Sequence, residues 1–227
     1  MKTRYATFKI QIVQAKSPAP PPPPPPPPPV FVGSLMTTRT TDECMEADIS
    51  AAEFADGFDT LTVDWGDGCI TSHQELRWIY HEYAEKGTYV VRIPDVLKTL
   101  ELSFPTKSEA FGALSMVEFT TNAKNLKELD SGCFAYCSNL KTADFRDGAL
   151  EKIGSKTFKD CTSLSGRLDF PHVKEIIGSN INLPFLGCEQ IREIHFAAEN
   201  EEAVKATSAY HYDQHLGAAN ATLFFDL

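Results

Sequence analysis

LEKIGSKTFKDCTSL, residues Leu150 to Leu164, closes with Phe158, Cys161 and Leu164 at three-residue steps. The same trio stands on both sides of it, in CFAYCSNL (Cys133 to Leu140) and in PFLGCEQI (Pro184 to Ile191). Phe134, Phe158 and Phe185 therefore share one register with Cys137, Cys161 and Cys188 and with Leu140, Leu164 and Ile191, the cysteines stepping by 24 and then 27 residues. A period in the twenties with apolar residues at fixed offsets is that of a solenoid, in which each coil buries its apolar side only against its neighbours. Working outward, LKTLEL (from Leu97), LSMVEF (from Leu114), LKTADF (from Leu140), LSGRLDF (from Leu164) and IREIHF (from Ile191) can be set beneath one another. Each carries an apolar or small residue at its first, fourth and sixth positions, and the fourth copy holds one extra residue. The recurring cysteines are expected to stack as small buried apolar groups.

Upstream, FDTLTVDWGDGCITSHQELRWIYHEYAEKGTYVVRI (Phe58 to Ile93) concentrates Asp64, Trp65, Gly66, Asp67 and Gly68 in five positions. Two glycines around an aspartate permit positive φ and a tight reversal. The aspartates can accept backbone N–H bonds within that turn, and Trp65 supplies a large core anchor. The cluster is therefore read as a turn between strands. A catalytic reading would pair Asp64 with Asp67 and use His81 as general base, but no nucleophile signature or metal triad stands out in the sequence beside them. Calcium at Asp64 and Asp67 is a weaker alternative, because a hard cation requires more oxygen ligands than this pair supplies.

In order and spacing, Asp64, Trp65, Gly66, Asp67 and Gly68, then His81, Tyr83, Gly87, Tyr89 and Val91, resemble the polycystic-kidney-disease (PKD) repeat family. That resemblance implies a small β-sandwich over residues 30–95. The stretch from Leu150 to Leu164, with Asp169, Phe170 and Pro171 after it, resembles the BspA-type leucine-rich repeat. It implies a short solenoid over residues 96–227, closed by a helix around Glu201 to Ala209 and a strand at Thr222 to Leu227. The expected fold class is mainly β.

The chain before these parts has a different character. In residues 1–17, Phe8, Ile10 and Ile12 alternate with polar neighbours at the period of a half-buried strand, too short to be stable alone. This is the expected attachment peptide. Residues 18–29 hold ten consecutive prolines, Pro20 to Pro29, which lack backbone donors and settle into polyproline II, a semi-rigid spacer of roughly 30 Å.

The remaining composition narrows the chemistry. With 31 acidic against 21 basic residues the net charge is −10, which repels a phosphate backbone, and no basic stripe offsets it, so no nucleic acid is expected. No run approaches the roughly 18 apolar residues of a membrane span, and the first residues lack the apolar core of a secretory signal. Cys133 and Cys137 are spaced CxxxC without a second pair at zinc-site spacing. His211 and His215 would share a helix face at four-residue spacing but lack the glutamate of HExxH. His195, next to Ile194 in a repeat strand, is expected on the exposed face.

No catalytic residue, metal or cofactor is expected. Together the two resemblances imply a non-enzymatic protein of bacterial or phage-encoded surfaces, with a protein or glycan ligand. The expected partners are virion or surface-assembly proteins engaged through Phe8, Ile10 and Ile12, and a homo-oligomer is compatible with this. The preferred expectation is a phage virion appendage, since a virion protein needs no secretory signal. The alternatives are a bacterial cell-surface adhesin and an intracellular scaffold that binds SH3-like domains through the proline tract.

Overall fold

A computed structural model describes residues 35–40, 46–77, 79–85, 87–101 and 116–227. The attachment peptide with Phe8, Ile10 and Ile12, the proline tract, and Leu114 lie outside the described residues. What is described is mainly strand, as the alternating patterns predict. Seven strands come first: β1 (Leu35–Thr40), β2 (Glu46–Phe54), β3 (Leu61–Asp64), β4 (Ile70–His73), β5 (Ile79–Glu82), β6 (Thr88–Ile93) and β7 (Leu97–Glu101). The repeats supply β8 (Met116–Thr121), β9 (Glu128–Leu129), β10 (Thr142–Asp144), β11 (Lys152–Ile153), β12 (Gly166–Phe170), β13 (Glu175–Ile176) and β14 (Ile191–Phe196). Two short helices, α1 (Glu201–Lys205) and α2 (Ser208–Tyr212), and a last strand, β15 (Thr222–Phe225), close the chain.

The coils stack into two parallel ladders. One runs through β8 and β10 and, beyond a break in strand pairing, through β12, β14 and β15, which form a separate three-stranded sheet; the other runs through β7, β9, β11 and β13. The first strand of each ladder is paired by an antiparallel strand from upstream: β1 on β8 and β2 on β7. One sheet thus orders β10-β8-β1-β6-β3-β4, and another β13-β11-β9-β7-β2-β5. Sheet hydrogen bonding passes directly from the antiparallel region into the coils. An open strand edge is a template for association, and here the starting edges of both ladders are covered.

Register corrects the alignment of the first two sequence copies. Leu97 to Glu101 forms β7 and pairs in parallel with β9, so LKTLEL belongs to the second ladder rather than to the column of IREIHF. In the Leu114 copy, Phe119 lies opposite Ala143. The strand equivalent to LKTADF therefore begins at Met116, two residues later than the sequence alignment sets it. Both ladders use the same leucine spacing, and only pairing distinguishes them. The register between β12 and β14 shifts between Gly166 and Arg167, where Arg192 of β14 is passed over, a β-bulge that lies on the partner strand and not at the extra residue of the fourth copy.

The interior holds two columns of phenylalanine. Phe134, Phe158 and Phe185 stack with ring centroids 5.1 and 5.3 Å apart. Phe145, Phe170, Phe196 and Phe225 form the other column, at 5.2, 5.9 and 5.7 Å. Cys137, Cys161 and Cys188 are buried thiols in the same core, together with Leu140, Leu164 and Ile191. Their sulfurs also bond between coils: Cys161 Sγ donates to Phe134 O (3.1 Å) and Cys188 Sγ to Phe158 O (2.9 Å). The residue before each ladder cysteine adopts positive φ, at Tyr136 (66°), Asp160 (59°) and Gly187 (85°), so one backbone turn repeats although its side chain changes.

Burial pushes the Cys161 thiol well above its ordinary pKa, and a thiol that stays protonated is a poor nucleophile. Cys137, Cys161 and Cys188 are therefore expected to resist a thiol reagent in the native protein and to react promptly in denaturant, whereas half-buried Cys69 reacts ahead of these three. Rapid native labelling of all three would contradict the ladder.

The terminal segment departs from the single helix expected at Glu201 to Ala209. Thr207 interrupts it: its hydroxyl donates to Val204 O (2.7 Å) and accepts the Tyr210 N–H, capping α2. Threonine favours such a cap over a helix interior. Beyond α2 lies one more coil. Ala218 N–H bonds to His215 O and Ala221 N–H to Ala218 O, the same turn that Cys137 and Leu140 make with Phe134 and Cys137. Ala218 and Ala221 thus take the cysteine and leucine places, and β15 adds to β14.

Candidate functional site

The WGDG stretch folds as the turn from β3 to β4. Asp64 Oδ1 accepts the Gly66 N–H (2.9 Å) and Asp67 Oδ1 accepts the Cys69 N–H (2.9 Å). Gly66 has φ +84°, and a Cβ there would lie 2.6 Å from Val90 O, so both conformation and space require glycine. Trp65 is fully buried, and its indole N–H donates to Thr71 Oγ1 (2.9 Å). Tyr83 OH donates to Trp65 O (3.0 Å). Rings accumulate around this contact: His81 stacks on Trp65 at 5.0 Å, Tyr83 meets His81 edge-on at 4.7 Å, and Tyr89 stacks on Tyr83 at 4.2 Å. Gly87 lies against the Tyr89 ring.

The structure therefore brings the motif residues together. Asp64 reaches Arg92 (3.3 Å), and Asp67 Oδ2 lies 2.7 Å from His81 Nε2. Burial works against ionisation of Asp67, but the Cys69 N–H and His81 outweigh it and hold the carboxyl below its ordinary pKa. Asp67, Cys69 and His81 present one carboxylate oxygen, one sulfur and one ring nitrogen within 4.8 Å of one another. Sequence spacing concealed this trio, because Cys69 lies in the turn while His81 arrives on β5, in the other sheet.

The second candidate region is the outer face of the first ladder. With buried residues pointing inward, the alternate positions Glu118, Thr120, Thr142, Asp144, Arg167, Asp169 and Glu193 face away from the core. Arg146 makes a fork to Asp144 (3.0 and 2.5 Å) and Arg167 reaches Asp169 (2.6 Å). Arg146 holds the Asp144 carboxyl below its ordinary pKa. The repeated strands are the surface expected to bind, but its charged residues were not singled out in the sequence, although RLD places opposite charges two residues apart on one strand, hence on one face.

His195 does not occupy the exposed position expected of it. It is 3% exposed, with Nδ1 2.6 Å from Asp226 Oδ1, Nε2 3.1 Å from Glu193 Oε2, and its ring stacked on Phe224 at 4.5 Å. The final strand covers it. His211 and His215 do not share a helix face either, because α2 ends at Tyr212 and Asp213 is extended. His215 instead bonds through Nδ1 to Ala221 O (2.8 Å). Phe134, Phe158, Phe185 and their cysteine and leucine partners are interior residues and form no surface site.

The second ladder carries a cross-strand charge pattern. Lys152 bridges Glu128 and Glu175 (3.0 and 3.6 Å), and Glu151 bridges Lys127 and Lys174 (3.1 and 2.7 Å). Hydrogen bonds from Lys174 and Lys127 hold the Glu151 carboxyl below its ordinary value. Parallel in-register strands bring equivalent positions together, so alternating the sign from coil to coil replaces repulsion by attraction. A hollow of about 310 Å³ opens beside it, lined by Lys127, Glu151, His172, Lys174, Glu199 and Asn200.

Among known families, the family model described as BspA type Leucine rich repeat region matches residues 96–213 in six copies, more than half of the chain. No curated protein and no solved structure matches it.

Proposed function

The chain belongs to the BspA-type leucine-rich-repeat family, and from that premise we propose that it is a non-enzymatic binding protein displayed on an exterior surface. The outer face of its first ladder meets a protein or glycan ligand, and residues 1–17 hold it to a phage virion. A PKD-like sandwich over residues 30–95 carries the coils. The observation that supports this reading is the division of labour in the first ladder. The apolar positions that recur from coil to coil are turned inward, while Asp144, Arg146, Arg167 and Asp169 lie together on the outer side. The charges are fixed in pairs, which presents both donors and acceptors to a partner without a large field of one sign. Among the described residues no helix is long and apolar enough to cross a membrane. Phe8, Ile10 and Ile12 have the period of a strand that could extend the edge of a larger assembly.

Attachment and recognition are separable in one experiment. A chain lacking residues 1–17 and a chain carrying Arg146→Glu with Arg167→Glu are compared with the parent for incorporation into virions and for retention on target cells. The deletion is expected to abolish incorporation while the free protein still binds; the double substitution is expected to do the reverse, with thermal stability nearly unchanged. Normal incorporation without residues 1–17 defeats the anchor, and incorporation into a cell envelope instead of a particle identifies a cellular adhesin. Undiminished retention after both charge reversals defeats the ladder face as the binding surface.

A further inference from the structure

We infer that Asp67, Cys69 and His81 form a zinc site at the turn after β3, independent of the ladder face and of whatever it binds. The three atoms that converge there differ in kind: a carboxylate oxygen, a thiol sulfur and an imidazole nitrogen, all within 4.8 Å of one another. A hard cation such as calcium takes six or more oxygens. One oxygen, one sulfur and one nitrogen match the borderline preference of zinc, which binds all three ligand types.

The surroundings hold each group in place. His81 is clamped between the face of Trp65 and the edge of Tyr83, at 5.0 and 4.7 Å, which fixes its ring plane and aims Nε2 at Asp67. Asp67 Oδ1 is taken by the Cys69 N–H, leaving Oδ2 for the cluster. Such an outer hydrogen bond is the usual companion of a metal-binding carboxylate. Cys69 follows Gly68, whose φ of +93° turns the chain back toward β4. Zinc bonds of about 2.0 to 2.3 Å in a tetrahedron set ligand atoms roughly 3.3 to 3.7 Å apart. Asp67 Oδ2 and His81 Nε2, now 2.7 Å apart, would separate by a few tenths of an ångström, within the reach of side-chain rotation. The metal would take the place of the proton shared by that pair and require the Cys69 thiolate, so binding releases protons and weakens in acid. Asp67 and His81 side chains remain 23% and 14% exposed, which leaves the fourth position to water or to a donor from outside.

The test uses the full chain, freed of metal with a chelator. One equivalent of cobalt(II), the spectroscopic stand-in for zinc, is expected to give tetrahedral visible absorption with a thiolate-to-metal charge-transfer band, and zinc is expected to displace it. Cys69→Ser should remove that band and weaken zinc binding by at least the ~10- to 100-fold that loss of an outer-shell partner costs. His81→Gln should weaken it comparably. X-ray absorption at the zinc edge of the loaded parent protein needs no variant and should show one sulfur with lighter ligands. No uptake at micromolar zinc, a charge-transfer band that survives Cys69→Ser, or a zinc shell with several sulfurs or none would each overturn the assignment.

Discussion

Phe158→Ala is expected to destabilise the protein by about 3 to 5 kcal/mol, the range for removing a buried aromatic ring when the cavity cannot collapse. Phe158 is fully buried at the centre of its column, with Phe134 at 5.1 Å on one side and Phe185 at 5.3 Å on the other, and Phe145 meets it edge-on at 6.1 Å. Removing its ring breaks two stacking contacts at once. The neighbouring backbone is tied coil to coil, since Phe134 N–H bonds to Thr157 O and Phe158 N–H to Pro184 O, so the coils cannot slide inward to fill the gap. Stability in a solenoid is a sum of nearest-neighbour interfaces, and this one substitution weakens both interfaces of the middle coil. Phe158→Leu should cost less because it refills part of the volume. Urea unfolding is the measurement: the midpoint should fall steeply for alanine at an unchanged slope. A loss below about 1 kcal/mol, less than typical large-to-small core substitutions cost, would remove Phe158 from the core.

Trp65→Ala is the second large effect, also about 3 to 5 kcal/mol, and its consequences should travel. The indole is fully buried, donates to Thr71 Oγ1, and supports the stack of His81, Tyr83 and Tyr89. The substitution leaves that stack without its base and removes the indole donor from Thr71 Oγ1, which keeps only its 2.8 Å contact to His73 Nε2. Because β1 pairs with β8 and β2 with β7, loosening the antiparallel region also uncovers the starting edge of each ladder. Cys137 and Cys161, distant in sequence from Trp65, should therefore label faster in Trp65→Ala than in the parent. Protection of those thiols identical to that of the parent would show that the two regions unfold independently and that the shared sheets carry no coupling. Trp65→Phe, which keeps an aromatic ring but not the N–H donor, should fall between the two.

Repetition made much of the solenoid legible in one dimension. Phe134, Phe158 and Phe185, with Cys137, Cys161 and Cys188, recur because every coil offers the same buried place to the same kind of side chain, and stacking a mismatch would leave a void or an overlap. The WGDG stretch was equally readable as a turn, since its glycines and aspartates satisfy local backbone demands that do not depend on the rest of the fold. Where side chains became small the signal faded. Ala218 and Ala221 fill the last coil's cysteine and leucine places, but alanine recurs too widely to mark a period.

Three features were decided only by the folded chain. LKTLEL from Leu97 and IREIHF from Ile191 look like one motif, yet they lie in different ladders, because leucine spacing reports burial and says nothing about which sheet does the burying. His195 alternates with Ile194 and Phe196 as an outward residue should, and it is nonetheless buried, because Phe224 and Asp226 arrive over it from a strand some thirty residues later. Asp67, Cys69 and His81 meet because β4 and β5 belong to different sheets that close on the same turn. What each coil must bury and where the chain must reverse could be read along the chain, since those are local requirements of volume and backbone conformation. Tertiary structure alone decided which surfaces remain open and which distant ligands converge, since both depend on what the rest of the chain places against them.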